Sequence, residues 1–410
     1  VRELSVVFVA VGAMLLIAEA LALLWTERAP RTQPETPGAP SRLFGRIPIV
    51  AWFLLLAALL QGGAHLLWGA EHQLFFDEHV YANQAVNLLS GLGPNVTEGQ
   101  SAAGPVVVPH KWPVGLPTLS APFVAAFGAA IGPAVFNRLV GVCTSTLLAC
   151  ITLRCSRAPS AAILALLLFS VHPLLSPWYG AGSAEPCATL LILTGAWASG
   201  LLFGSLGDPR SNRRLALLAT LLAAHVRLDS MLLLPVTLTA IHSARRAPLR
   251  GARDWAVTAI SAGLLVGLVV HLWTLPGYYL AGREESNFSI THLLPNLRSN
   301  AAFVWAYGAG FLVTVGAALA MIGVARAPRQ LLPLVAVALA QAALLLTYSA
   351  GRYELPGGSR FLVLPGAVLT AAALVGVGTT KLNHWVVGGL LVLALPSRNT
   401  VNNRVLQQTA

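Results

Sequence analysis

The chain has 410 residues, of which 56% are hydrophobic and only 10% charged, with a net charge of +11. Soluble domains carry roughly 25% charged residues, so this composition excludes water as the main solvent, and no stretch is polar and long enough to form a soluble domain. The basic excess comes as short Arg clusters between apolar runs, without aromatic residues interleaved on one surface. It is therefore a topology signal, and nucleic acid is excluded as a partner.

Apolar stretches near the length needed to cross a bilayer fall at 5–25, 47–68, 136–153, 159–176, 186–205, 255–275, 301–324, 330–349 and 360–378. Shorter candidates lie at 215–227, 230–243 and 383–396, the first two parted by Arg227 and Asp229. The expected fold class is an all-α polytopic membrane protein of about twelve transmembrane helices, with a large outer loop carrying juxtamembrane helices. The first apolar run is too long for a signal peptide and has no small-residue cleavage pattern, so it is read as a span. Residues 1–46 are then an extra N-terminal helix with a Pro- and Thr-rich cytoplasmic linker. Residues 47–378 form the main membrane unit with its outer loop at 69–135, and 379–410 hold a last helix and a short polar tail.

Orientation follows from the short basic loops. Arg28 to Arg46, Arg154 and Arg157, Arg210 to Arg214, Arg245 to Arg253, Arg326 and Arg329, and Lys381 fall on one side if the segment at 114–133 does not cross. Its prolines at 113, 117, 122 and 133 suit a helix lying along the outer surface or dipping into it. With that orientation most acidic residues, among them Asp77, Glu78, Glu185, Asp229 and Glu354, face outward. Glu19 inside the first span reads as a helix-packing carboxylate. The four cysteines show no metal-ligand spacing and read as small core residues.

The outer loop opens with Asp77-Glu78-His79-Val80-Tyr81-Ala82. Adjacent carboxylates at a membrane edge are partly desolvated, which raises a carboxyl pKa and suits general-base work. The other reading makes Asp77 the N-cap of a helix from Glu78 to Leu89, ended by the Gly91 to Gly93 turn. Next come His110-Lys111-Trp112-Pro113, where the Lys is either an interfacial anchor or a phosphate ligand. Glu185 precedes Pro186 at the start of a span, where a carboxylate also complements the helix dipole. Arg352 and Arg360 flank a Gly-rich turn that could bring two cations to one pocket, whereas Arg283 reads as a solvated loop charge. His65, His172, His225 and His271 read as core or interface residues, while His79 and His110 stand beside the two outer-loop motifs. Asn95-Val96-Thr97 and Asn287-Phe288-Ser289 fit the short glycosylation pattern.

In their order these pieces resemble the GT-C superfamily of polytopic glycosyltransferases, especially the protein O-mannosyltransferase and aminoarabinose transferase branch. The resemblance covers roughly residues 47 to 378. It rests on Asp77, Glu78, Tyr81 and Ala82, then Lys111 and Pro113, Glu185, Arg227 with Leu232 to Pro235, and Arg360-Phe361. The Lys element reads Lys-Trp-Pro-Val where the branch has a Lys-Pro-Pro-Leu-like element, an extra span precedes the usual first one, and no soluble C-terminal domain is expected after Ser397.

The resemblance implies a sugar donor carried on a polyprenyl phosphate and a single inverting displacement at the non-cytoplasmic face. Asp77 would be the base that takes the acceptor proton, and Glu78 would shape the pocket or hold the acceptor. Tyr81, His110, Lys111, Glu185, Arg227, Arg352 and Arg360 would bind substrate, the cations serving the lipid-phosphate leaving group. The acceptor expected is a lipid, glycolipid or envelope glycan, and the setting a bacterial inner or plasma membrane with the site on its periplasmic or extracellular face. No cofactor or metal is assigned, although the carboxylates are hard ligands compatible with a divalent cation. The rival readings are a secondary transporter and a membrane O-acyltransferase. Mid-membrane ionisable groups and internal repeats, which favour the first, are not evident, and His172 and His225 are the only histidines placed for the second.

Overall fold

A computed structural model describes residues 2–26, 49–68, 76–101, 104–109, 112–172, 175–204, 208–244, 251–274, 288–307, 311–355, 358–380, 383, 384 and 387. The first helices are α1 (Arg2–Thr26), α2 (Ile49–Trp68) and α3 (Phe76–Leu89), followed by a hairpin of β1 (Val96–Ser101) and β2 (Gly104–Val108). Then come α4 (Gly115–Phe127), α5 (Gly132–Ser156), α6 (Pro159–Val171), α7 (Ala184–Phe203), α8 (Pro209–Val226), α9 (Leu234–Ser243) and α10 (Ala252–Thr274). The last are α11 (Leu293–Tyr307), α12 (Phe311–Arg326), α13 (Pro328–Leu346) and α14 (Val363–Gly378). Short 3-10 turns occupy Ser176–Gly180, Leu228–Leu233, Ile290–His292 and Gly358–Leu362. Proline opens α6, α8 and α13, at the one helical position where its missing N–H is not needed.

Six of the described helical stretches are long and apolar enough to cross a membrane: Arg2–Leu21, Gly132–Ser156, Ala184–Phe203, Ala252–Trp273, Pro328–Leu346 and Gly358–Gly378. Five shorter apolar helices accompany them, so a count of twelve is not reached among the described residues. The candidate at 383–396 lies almost wholly outside them. Of the expected span at 301–324, the described residues give α11 up to Tyr307 and α12 from Phe311. The stretch at 230–243 opens as a 3-10 turn before α9, because Pro235 in the first turn of α9 cannot extend a helix backward. The segment at 114–133 contains α4, packed against α1, α3, α5 and α8.

Apolar side chains face outward as well as inward, unlike those of a soluble protein. Leu4, Val7, Met14, Ile17 and Leu21, spaced by three, four or seven residues, form a stripe on α1 that is more than half exposed. Trp255, Val266, Val269 and Trp273 do the same on α10. Meanwhile Asn137, Thr144, Ser145 and Thr152 of α5 are wholly buried. Exposed apolar stripes of this extent around a polar-spotted interior suit lipid as the outer solvent, the pattern of a multi-pass membrane protein. Cys187 is buried as expected, but Cys143 is exposed on α5. Position 143 follows a helix face turned away from the bundle, which cysteine spacing alone does not reveal.

The largest apolar cluster runs through α5, α7, α8, α13 and α14, with Ile151, Phe169, Tyr179, Ile192, Leu222 and Val375 in it. Charge is concentrated at the two ends of α8, whose 18 residues span about 27 Å. At its N-terminus Asp208 caps the helix by accepting from the Arg210 and Ser211 amides. One turn in, Arg214 lies 2.8 Å from Glu19 of α1 and 2.6 Å from Asp254 of α10. Arg253 adds a contact of 2.5 Å to the same Glu19 oxygen. Glu19, fully buried, thus ties α1 to α8 and α10.

The hairpin was not anticipated, since Val96 to Val108 alternates poorly and carries three glycine and proline residues. It is held to α3 by side chains one turn apart. Asn83 accepts from the Thr97 amide (2.9 Å), and Asn87 donates to the Asn95 carbonyl (2.9 Å) and the Thr97 hydroxyl (3.0 Å). The Asn95 side chain of the first glycosylation pattern donates to the Leu92 carbonyl and accepts from Arg2; Asn287 lies outside the described residues. Helix α3 ends as expected at Gly91, whose φ of 77° permits the paired bonds Leu92 N–H to Asn87 O and Gly91 N–H to Leu88 O.

Helices α12 and α14 approach backbone to backbone. A Cβ on Gly376 would overlap the Leu319 carbonyl oxygen, and one on Gly323 would overlap that of Ala372. Gly376→Val is therefore expected to lower stability by about 1–3 kcal/mol through overpacking, as read from thermal unfolding in detergent. Gly62→Ala, in a helical position with open space around it, should leave the midpoint unchanged or raise it.

Candidate active site

At the C-terminal end of α8 a chain of alternating charges joins five elements. Arg227 ends α8 with extended backbone (φ −146°, ψ 127°), which turns its side chain off the helix and across the bundle. Its Nε lies 2.9 Å from one oxygen of Asp229 and its Nη2 3.0 Å from the other, while its Nη1 bonds to Glu185. The same Glu185 oxygen lies 3.0 Å from Nε of Arg360, an ion pair whose N–H is not aimed squarely at it. Arg360 then reaches Asp77 with Nη1, 2.7 Å from Oδ2. The Phe361 ring packs against both guanidiniums, with centroid distances of 5.3 Å to Arg227 and 5.2 Å to Arg360.

Local sequence explains why each residue arrives there. Glu185 stands in the first turn of α7 beside Pro186, where a carboxylate meets the positive end of the helix. The loop before it is held by Asn137 of α5, whose Nδ2 donates to the carbonyls of Ala181 (2.5 Å) and Ser183 (2.8 Å). Arg360 lies in the 3-10 turn that opens the α14 span. Asp77 lies inside the first turn of α3, since the helix starts at Phe76 and not at Glu78. Its carboxylate is engaged by Arg360, so the expected N-cap at Asp77 is corrected to a first-turn residue in an ion pair.

Glu78 points the other way, into protein. It is 1% exposed and packs against Gly182, where a Cβ would come within 3.0 Å of Pro133 and 3.5 Å of Glu78 itself. Neither of its oxygens has a well-formed hydrogen bond among the described residues. Burial, with a smaller push from the Glu185 and Asp77 carboxylates, raises its pKa to about 7, against the opposing effect of the Gly182 amide and the Arg360 guanidinium. One helical turn on, Tyr81 is buried and packed against Trp112, with ring centroids 5.0 Å apart and the planes tilted by 31°. Burial also pushes the Tyr81 phenol upward.

Of the residues singled out in the sequence, Asp77, Glu185, Arg227 and Arg360 therefore meet directly, and Glu78 and Tyr81 lie against them. Arg352 instead donates to Asn296 (3.2 Å) and lies 3.9 Å from Glu354, on the loop that Asn296 and Asn300 of α11 hold. His110 and Lys111 lie outside the described residues. Histidine 225 is buried with Nε2 bonded to the Leu264 carbonyl, as a core histidine would be. Among the described residues no three His, Cys, Asp or Glu side chains converge as metal ligands.

Four further residues belong to the cluster. Asp229 was visible only as an outward acid, though its spacing from Arg227 at a helix end suits a pair. Gln341 gave no signal, being one amide in an apolar helix. Phe361 and Trp112 were read only as neighbours of a cation, not as ring surfaces.

No family model matches the chain, and no curated protein does. Solved structures do match. One is the apo form of an Archaeoglobus fulgidus oligosaccharyltransferase, with 11% identity and a TM-score of 0.52, covering 88% of this chain and 56% of that one. Another is the Archaeoglobus fulgidus oligosaccharyltransferase AglB in complex with an inhibitory peptide and a dolichol-phosphate, with 12% identity and a TM-score of 0.47, at the same coverage. The present chain thus spans just over half the length of these proteins. The likeness of the apo form shows a shared fold and no more. It does not point to the O-mannosyltransferase and aminoarabinose transferase branch.

The raised pKa of Glu78 has a consequence for stability. A carboxyl that holds its proton more tightly when folded is stabilised at low pH, and the advantage is lost as pH rises from about 4.5 through 7. The difference is about 3 kcal/mol by the usual conversion. Wild-type protein should therefore lose stability relative to Glu78→Gln across this window, as read from thermal midpoints measured at a series of pH values in detergent.

Proposed function

We propose that this chain transfers a sugar from a polyprenyl-phosphate carrier to the hydroxyl or amine of a lipid, glycolipid or envelope-glycan acceptor. The observation that carries the reading is the linkage of Asp77, Arg360, Glu185 and Arg227 at one end of the bundle. It sets a carboxylate beside a guanidinium at the rim of a membrane-embedded unit. Glycosyl transfer from a lipid phosphate needs this combination: a base for the acceptor proton and a cation for the departing phosphate.

In this reading the acceptor oxygen attacks the anomeric carbon with inversion. The bond from that carbon to the phosphate oxygen breaks with its electron pair going to the phosphate, and the acceptor proton goes to Asp77. Asp77 is about one quarter exposed and is reachable from outside the bundle, whereas Glu78 is enclosed. Glu78 is thus suited to shape the pocket floor and not to meet a substrate. Arg360, contacted at Nε by Glu185 and at Nη1 by Asp77, keeps further N–H groups for phosphate oxygens and stays charged when partly buried. As the phosphate takes up Arg360, the Asp77 carboxylate is left free to meet the acceptor. Tyr81, with Trp112 behind it, is the aromatic wall beside this pair. Lys111, next in sequence to Trp112, is the second cation proposed for the phosphate, and His110 and Arg352 remain proposed substrate ligands.

The arginine-rich end of α8, with Arg210, Arg213 and Arg214, lies at the far end of the helix from Arg227. Positive residues favour the cytoplasmic side, which supports a site on the periplasmic or extracellular face. The archaeal oligosaccharyltransferase solved with a dolichol-phosphate is a protein whose lipid ligand has the chemistry proposed here.

The test is transfer of radiolabelled sugar from a panel of polyprenyl phosphate sugars in proteoliposomes supplied with membrane extract as the acceptor source. Asp77→Asn is expected to lower the rate by roughly 10² to 10⁴ with the thermal midpoint unchanged. Glu185→Gln should lower the rate by freeing both arginines. A native chain that moves no sugar from any donor would overturn the reading.

A further inference from the structure

We propose that Asp229, held by Gln341, is a positioning residue that fixes Arg227 as the permanent anchor of Glu185, so that Glu185 presents Arg360 to the substrate phosphate. The inference rests on the function proposed above and assigns it two residues that neither touch substrate nor belong to the motifs read from sequence.

The geometry separates the two arginines. Asp229 grips Arg227 side-on with both oxygens, through Nε at 2.9 Å and Nη2 at 3.0 Å. That arrangement fixes the plane of the guanidinium and leaves only the Nη1 edge to turn toward Glu185. Arg360 has no such clamp among its described contacts: one Glu185 oxygen and one Asp77 oxygen touch it from different elements. Gln341 of α13 completes the clamp by donating Nε2 to the outer oxygen of Asp229 at 3.0 Å. The amide is 6% exposed and sits in an otherwise apolar helix, a costly place for a polar group unless it is paired. The cluster has no need of Asp229 as a charge, since Glu185 and Asp77 already balance the two arginines. An added buried carboxylate stabilises poorly for its desolvation cost. What it supplies is orientation, passed in order from Gln341 to Asp229, Arg227, Glu185 and Arg360.

This role predicts a kinetic signature that a purely structural or a purely electrostatic role would not give. Asp229→Asn removes a negative charge near an anionic donor, so the KM for donor should fall or stay level. The loosened guanidinium should nevertheless lower kcat by about tenfold or more. Gln341→Leu, similar in volume and neutral, should lower kcat by a smaller factor with KM unchanged. Because the effect passes through Arg227, Asp229→Asn added to Arg227→Gln should change kcat by less than about twofold.

Steady-state kinetics of these variants in proteoliposomes, together with binding of undecaprenyl phosphate to the purified full chain in detergent, make the test. Wild-type kcat in both Asp229→Asn and Gln341→Leu, with wild-type transfer intact, overturns the positioning role alone. A rate lost only in proportion to lost folded protein, at unchanged KM, also overturns it. If the wild type neither binds the polyprenyl phosphate nor transfers sugar, the reading of the site falls and the positioning role falls with it. If Asp229→Asn does not fold, the outcome for Gln341→Leu decides.

Discussion

A charge inside a bundle of apolar helices is stable only where a counter-charge meets it, because the surroundings offer no water to replace one. The whole arrangement of this protein follows from that constraint. Among the described residues the buried ion pairs gather into two clusters, one at each end of α8, and each cluster joins helices that are distant in sequence, while Arg138 of α5 is held by the Gln61 side chain and the Ser176 carbonyl. At one end Glu19, Arg214, Arg253 and Asp254 tie α1 to α8 and α10. At the other, Asp77, Glu185, Arg227, Asp229 and Arg360 tie α3 to α7, α8 and α14. Between them the interior is apolar, relieved by hydroxyls such as Ser145 and Ser170, whose oxygens are 3.0 Å apart.

The two clusters differ in how open they are. The carboxylates of Glu19 and Asp254 are both about 1% exposed and act as internal counter-ions for arginines that reach the surface. The cluster around Arg227 is graded: Glu185 is 7% exposed, Arg360 19% and Asp77 25%. The same residue types therefore build one enclosed cluster and one that is partly accessible. Glu78 stands apart from both, since it forms no ion pair among the described residues and burial raises its pKa to about 7.

The class of the protein and most of its helices were legible in the sequence, because apolar length and basic loops are direct consequences of lipid as solvent. Spans such as α5, α7 and α10 begin and end within a few residues of where hydropathy puts them. The hairpin was hidden because its strands are paired by backbone and by Asn83 and Asn87, not by an alternating apolar face. In the site, single residues near helix ends could be picked out as charges out of place. Which charge would meet which could not, since Asp77 and Arg360 are far apart in sequence and Gln341 looks like any other polar residue in a span. Pairing is a property of the packed bundle.

The contact of α12 with α14 bears on the site from a distance. Gly323 and Gly376 let the two backbones touch near one end of α14, and Arg360 stands just before its other end, about 25 Å away. Two helices in contact at the backbone cannot slide past one another by small repacking of side chains, because no side chain lies between them to yield. Helix α14 is in effect a rod with its depth and rotation fixed at one end. The guanidinium at its other end can change partners by turning about its own side-chain bonds, while its α-carbon stays in register with the bundle.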